Sequence, residues 1–196
     1  SLRTLKKVNV QDILISGSEL FSEHDVVDNL SLKFPIRLIF ININFLEKEL
    51  EKNLSLKNVS VSRQILPFGL RVHVVTRTPI AHAERIFNDE KTSGFVDKDG
   101  IFIRKQNAED INFGKLTIQV FGWEKKFKKI LSEILIAQDN YEFEIIKITF
   151  SPNGFISLEE KDLKTIYLGF NPNSINYQLQ IINNLKTEFK KNNLSK

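Results

Sequence analysis

The strongest constraint on this chain lies in its middle, between Val59 and Gly100, where two hairpin signals follow one another with no flexible linker between them. Val59 and Val61 alternate with Ser60 and Ser62. Leu70, Val72 and Val74 then alternate against Arg71 and His73, the period of two that turns one side of a strand toward a core. Pro67-Phe68-Gly69 supplies the turn between these two strands. The chain passes through Arg77-Thr78-Pro79 directly into a new strand pattern and reaches a second hairpin signal at Asp97-Lys98-Asp99-Gly100, where Asp-Gly accommodates the positive φ angles of a tight turn. Pro79 fixes its own φ and restricts Thr78 before it, so the seam is short and directed. One element closes a first domain and the next opens a second.

Upstream of the seam, Val8 to Ser16 reads as a strand, with Val8, Val10, Ile13 and Ile15 apolar and Gly17 as its break. Ser22 with Asp25 three residues on is a capping-box pattern, and Val26, Val27 and Leu30 share a face, which predicts a helix from Ser22 to Leu32. Pro35 to Ile41 is an apolar connection. A second helix is expected to start near Asn44, with Leu46, Leu50 and Leu54 as its buried stripe. The order is strand, helix, helix, strand, strand, a small α+β domain in which a helix layer covers one sheet face.

Downstream, short strands follow: Ile80 to Ile86, Gly94 to Val96, Ile101 to Ile103, and Lys115 to Phe121, with a turn at Asn88-Asp89-Glu90-Lys91 and a polar loop from Arg104 to Asn112. Trp123, Phe127, Ile130, Leu131, Ile134 and Leu135 predict an amphipathic helix whose outer face carries Lys125, Lys126, Lys128 and Lys129. Strands over Phe143 to Phe150, Phe155 to Leu158 and Leu163 to Phe170 lead into a last helix, with Ile175, Leu179, Ile182, Leu185 and Phe189 as its expected apolar stripe. The tail from Asn192 is polar. The fold class is therefore α+β, a β-α-α-β-β domain over residues 8–77 and a second, mostly antiparallel β domain with two helices over residues 78–193.

Several classes of function are set aside by what the chain lacks. It has no cysteine, which excludes disulfides, thiolate zinc sites and cysteine nucleophiles from these residues. A net charge of +4 comes from 28 basic and 24 acidic residues that interleave, so a nucleic-acid partner is not expected. No run of 18 apolar residues spans a membrane. His24, His73 and His82 stand apart, without the fixed spacing of a ligand set, and Asp97 with Asp99 lacks the further ligands of a calcium loop. No phosphate-binding glycine loop or hydrolase motif occurs, and neither catalysis nor a cofactor or metal is expected. The remaining class is a protein that binds other proteins, for which an open sheet edge is the usual device.

The residues on either side of the seam resemble a family. The V-x-V-x-R strand of Val59, Val61 and Arg63, the strand Leu70-Arg71-Val72-His73-Val74, the junction Arg77-Thr78-Pro79-Ile80-Ala81, the hairpin Val96-Asp97-Lys98-Asp99-Gly100 and the pair Leu168-Gly169 are together similar to the extracytoplasmic region of the bacterial cell-division proteins FtsQ and DivIB. The resemblance covers roughly residues 8 to 190 and makes the first domain a POTRA domain. Thr76 stands where the family has Glu, and the family's further edge strand after the last helix has no counterpart before Lys196.

The resemblance implies a non-catalytic divisome scaffold, a single-pass inner-membrane protein with its span upstream of these residues and this region periplasmic. Its implied partners are divisome membrane proteins of the FtsB and FtsL type. Arg63, Arg77, Pro79, Ala81, Val96, Asp97, Gly100 and Gly169 are its structural motif residues. The partner-binding expectation falls on the strand and helix near the C-terminus: Thr165, Ile166, Tyr167, Leu168 and Phe170 on an edge, with Tyr177 and Ile181 nearby. Two alternatives compete. A POTRA-bearing piece of an outer-membrane assembly or secretion pore requires residues 79–190 to repeat the β-α-α-β-β order, and a cell-wall hydrolase requires a site from carboxylates such as Glu84, Asp97 and Glu142.

Overall fold

The computed structural model describes residues 6–17, 21–87, 90–104, 116–141, 143–169 and 171–193. These divide into two units, one ending at Arg77 and the other beginning at Thr78.

In the first unit, the sequence from Val8 to Ser16 does not run as one strand. Asn9 and Asp12 bond each other across a single 3₁₀ turn, Val10–Asp12, because the Asp12 carboxylate accepts the Asn9 N–H at 2.8 Å. That turn separates β1 (Lys7–Val8) from β2 (Ile13–Ser16). Helix α1 is shorter than its apolar spacing predicts, Glu23–Asp28. Ser22 and Asp25 do form the reciprocal cap, but Asn29 ends the helix by donating its side-chain amide to the Asp25 carbonyl. The connection that follows contains β3 (Ile36–Arg37), paired with β1, and a 3₁₀ turn, Leu38–Phe40. Helix α2 (Ile43–Asn53) is capped by Asn42 rather than Asn44: the Asn42 side-chain oxygen Oδ1 accepts from the Phe45 N–H at 3.1 Å.

Strands β4 (Asn58–Ile65) and β5 (Phe68–Val75) form the antiparallel hairpin, and β2 joins the far side of β5 in parallel, giving the order β2-β5-β4. The period-two residues Val59, Val61, Leu70, Val72 and Val74 all face the helices and are buried with Val26, Leu30, Leu46 and Leu50. At the turn, Gly69 lies so close to the Asp12 carbonyl that a Cβ there would sit 1.9 Å from its oxygen. A side chain at that position has no room.

The second unit is one seven-stranded sheet with two helices, ordered β12-β11-β10-β9-β6-β7-β8. Strands β6 (Ala81–Phe87), β7 (Glu90–Val96) and β8 (Phe102–Arg104) are consecutive antiparallel neighbours. Strand β9 (Ile118–Phe121) then inserts beside β6 in parallel, and α3 (Lys128–Tyr141) crosses over to bring β10 (Ile145–Phe150) parallel to β9. A parallel neighbour needs such a crossover, and the helix supplies it. Strands β11 (Ile156–Glu160) and β12 (Lys164–Leu168) finish the sheet as an antiparallel meander, and α4 (Ile175–Asn193) packs back against it with α3. The sheet has as many strands as the sequence spacing predicts downstream of the seam, and four of its six pairings are antiparallel. Asn88, Asp89 and residues 105–115, which take in the expected polar loop beyond Arg104 and the first residue of the strand expected from Lys115, lie outside the described residues.

Leu50 is completely buried between α2 and the sheet of the first unit. Leu50→Ala is expected to cost about 3 to 5 kcal/mol by the cavity it leaves. Urea unfolding followed by a probe in the first unit should show that loss as a lowered midpoint, with the transition of the second unit unchanged.

Candidate protein-docking edge

Strand β12 is the last strand of the seven-stranded sheet, with β11 on one side and no strand on the other among the described residues. An edge of this kind presents backbone N–H and C=O groups in a row. The register sets the direction of each side chain: Ile166 lies opposite Leu158 and Leu168 opposite Ile156, so both point to the helix-covered face. Leu168 is buried there and Ile166 is half-buried, packed on the core. Thr165 and Tyr167 alternate to the opposite face, and Tyr167 is 75% exposed. The expected group therefore divides. Leu168 contributes only its backbone to an edge, Tyr167 offers an open ring, and Phe170 lies outside the described residues.

Helix α4 also differs from its expected stripe. Ile175, Leu179 and Ile182 face the sheet, but the inward run continues to Lys186, while Leu185 and Phe189 turn outward. The outer face then carries Tyr177, Ile181, Leu185 and Phe189 at intervals of four residues, all exposed. Four apolar side chains at that spacing form one continuous strip along a helix. Tyr177 and Ile181 fall on this strip, whereas Thr165 and Tyr167 lie on the sheet face that α4 does not cover. The strand edge is the boundary between the two surfaces.

Lys186 explains why the inward run carries a charge. Its side chain is 6% exposed and that of Glu160, at the end of β11, is 1% exposed; Nζ donates to Glu160 Oε1 at 2.5 Å and lies 3.3 Å from Asp162. Glu160 also accepts the backbone N–H groups of Glu144, Asp162 and Leu163 at 3.1, 2.7 and 2.9 Å. Burial opposes ionisation of Glu160, but the Lys186 ammonium and these three N–H donors outweigh it and hold the carboxyl below its ordinary range. Burial likewise opposes the Lys186 charge, and the hydrogen bonds it donates to the Glu160 and Asp162 carboxylates outweigh this and raise the amine. A signal for the pair is present in the sequence. Glu160 continues the period-two apolar run of Ile156 and Leu158, and Lys186 is seven residues from Leu179, so each is a charge on an inward face, of opposite sign.

The motif residues are spread over both units. Arg63 donates to the carbonyls of Leu38 and Ile41 at 3.1 and 2.6 Å. Thr76, Arg77 and Pro79, which follow β5 in the chain, are each half-buried. Ala81 and Val96 are fully buried cross-strand partners. The buried Asp97 carboxylate accepts the N–H groups of Asp99 and Ile101 at 3.0 and 2.8 Å, closing the hairpin turn. Gly100 has φ +71° and leaves no space for a Cβ against the Lys128 carbonyl, and its own carbonyl accepts from the Trp123 indole. Gly169 donates its N–H to Gln178, which ties the end of β12 to the first turns of α4.

The residues considered for chemistry do not converge. His24 pairs with Asp28, His73 with Ser16, and the His82 ring lies against Phe95. Glu84 pairs with Lys91 at 2.7 Å, Asp97 is taken up by its own turn, and Glu142 lies outside the described residues. Among the described residues no group of three His, Asp or Glu is placed to hold a metal ion.

Residues 8–77 match the family model of the FtsQ-type POTRA domain. Over 157 residues, 80% of the chain, the sequence is 25% identical to the cell division protein DivIB of Clostridium acetobutylicum, and the match covers 57% of that protein. The chain thus corresponds to little more than half the length of this relative.

Lys186→Met is expected to destabilise the second unit by about 3 to 5 kcal/mol, since it leaves Glu160 charged and unpaired in the core. Glu160→Gln combined with Lys186→Met should cost less than the two single changes together, measured as a double-mutant cycle by denaturant unfolding. Because the folded-state value of Glu160 is lowered, its contribution is complete above the ordinary Glu range and is lost as pH falls through the lowered value. The raised Lys186 contributes fully below the ordinary Lys value and loses this as pH rises through its own, so the parent should weaken at both extremes and the double variant less so.

Proposed function

A chain with an FtsQ-type POTRA domain and likeness to DivIB over four-fifths of its length is a member of the FtsQ/DivIB family of cell-division proteins, and on that premise we propose that it acts as a non-catalytic docking scaffold of the division machinery. In this reading the two units are the two domains of the extracytoplasmic part of a single-pass membrane protein, a POTRA domain over 8–77 and a β domain over 78–193. Its partners are other divisome membrane proteins, of the FtsB and FtsL type. The observation that carries the reading is the open edge of β12 beside the apolar strip of α4. A partner strand added to β12 gains main-chain hydrogen bonds, and Thr165 and Tyr167 give it side-chain contacts on the uncovered face. The strip of Tyr177, Ile181, Leu185 and Phe189 suits an apolar partner segment, because leaving four such side chains in water gains nothing for the fold.

The second unit does not repeat the β-α-α-β-β order: four strands precede its first long helix. A series of POTRA domains, as a pore fragment requires, is therefore disfavoured over residues 79–190.

Photo-crosslinking groups placed singly at Tyr167 and Ile181 are expected to capture membrane proteins of the division machinery in dividing cells, while one at Glu51 on α2 does not. Adducts confined to residues 22–60, with β12 and α4 unlabelled, would sink the placement. Tyr167→Ala should weaken partner binding about tenfold or more if the ring is a central anchor, with the unfolding transition unchanged.

A further inference from the structure

One end of the first unit gathers apolar tips that its own core leaves in water. Phe40 is 67% and Leu66 83% exposed, and Ile39, Phe45 and Ile65 are also largely exposed. These residues come from three separate pieces of chain: the 3₁₀ turn before α2, the first turn of α2, and the tip of the β4–β5 hairpin. Three contacts hold them at the same end. Arg63, two residues from Ile65, donates to the carbonyls of Leu38 and Ile41 and so fixes the turn carrying Ile39 and Phe40. Gly69, beside the hairpin tip, closes on Asp12. Lys6 lies 4.8 Å from the ring centre of Phe68. A recess of about 390 Å³ opens between Phe40, Asn44 and Arg63.

The charge exposed around these tips is mostly positive. Lys6, Lys7, Arg37 and Arg63 are all exposed, and Lys7 and Arg37 are direct cross-strand neighbours on β1 and β3, where two like charges repel. Two acids lie nearby, each engaged by a backbone amide: the Asp12 carboxylate accepts the Asn9 N–H and the part-buried Glu47 carboxylate accepts the Val61 N–H, both at 2.8 Å. Aromatic and aliphatic tips inside a cationic collar match the boundary of an anionic bilayer, where apolar groups enter the acyl region and Lys or Arg meet lipid phosphates.

We propose that this end of the first unit rests on the surface of an anionic lipid bilayer, with Phe40 and Leu66 as its inserted tips and Lys6, Lys7, Arg37 and Arg63 as its headgroup contacts. Its position in the cell rests on the membrane-anchored reading given above; its lipid chemistry does not. The surface acts as a second attachment that sets the orientation of the first unit on the membrane.

The test is co-sedimentation of the full 196-residue chain with vesicles of phosphatidylcholine alone and of phosphatidylcholine with phosphatidylglycerol at about one part in three. The chain should partition onto the anionic vesicles and be released by salt. Phe40→Ser with Leu66→Ser should lower that partition about tenfold or more at an unchanged unfolding transition, since each tip forfeits its transfer into the apolar layer. Lys7→Gln with Arg37→Gln should lower it about fivefold for each charge lost, while Tyr177→Ser with Ile181→Ser should bind like the parent. Equal binding by the parent and the tip variant, or binding to neither vesicle, overturns the proposal. So does a dimer in sedimentation velocity that the tip variant dissolves, which would assign the face to a second copy. A photo-crosslinker at position 40 that yields a protein adduct rather than a lipid adduct in membranes assigns it to a protein and overturns it equally. Failure of the crosslinks at Tyr167 and Ile181 would remove the docking edge and leave these outcomes unaffected.

Discussion

The second unit depends on one interaction, the buried pair between Glu160 and Lys186. Without it α4 has a charged residue on its inward face, opposite a carboxylate at the end of β11. With it, the last helix is fixed in rotation as well as in place. An apolar contact tolerates a helix turning by some tens of degrees, but an ammonium aimed at one carboxylate oxygen in a dry site does not. That fixed rotation turns Ile175, Leu179 and Ile182 onto the sheet and leaves Tyr177, Ile181, Leu185 and Phe189 outside. The backbone N–H groups of Asp162 and Leu163 on Glu160 extend the same constraint to the turn between β11 and β12, and that of Glu144 to the start of β10, so the edge strand and the helix strip share one anchor.

The first unit has a different organising constraint, which is backbone fit rather than charge. Gly69 against Asp12 and Arg63 against two carbonyls bind the hairpin to the two short turns that flank the helices. These contacts involve backbone atoms whose positions no hydrophobic pattern encodes. Around these held turns the unit leaves Ile39, Phe40, Phe45, Ile65 and Leu66 in water.

Strands were legible in this sequence wherever one face is buried and the other wet, as in Val59 to Val74, since period two then appears directly. Helix limits were less legible. Asn29 ended α1 with its own side chain while Leu30 continued the apolar spacing into the core, so the pattern outran the helix. The number of strands in the second unit was legible but their order in the sheet was not, because the parallel placement of β9 between β6 and β10 leaves no local mark in the sequence. The strand edge was legible as a strand. Its division into a buried Leu168 and an open Tyr167 required the register, and the α4 strip was masked because two apolar runs, one inward and one outward, coexist on one helix.

α4 follows every strand of the second unit's sheet in chain order, and that order bears on how the protein is made. The first unit has its last strand by Val75, and its central hairpin joins neighbours in sequence, so little chain must be closed to form it. The second unit cannot neutralise Glu160 until Lys186 has been synthesised 26 residues later. During synthesis it therefore passes through a stage in which most of the sheet exists while one carboxylate and the face of β11 remain open to water. Vectorial folding completes the first unit early and holds the second incomplete, and the docking edge takes its final form only when the last helix arrives.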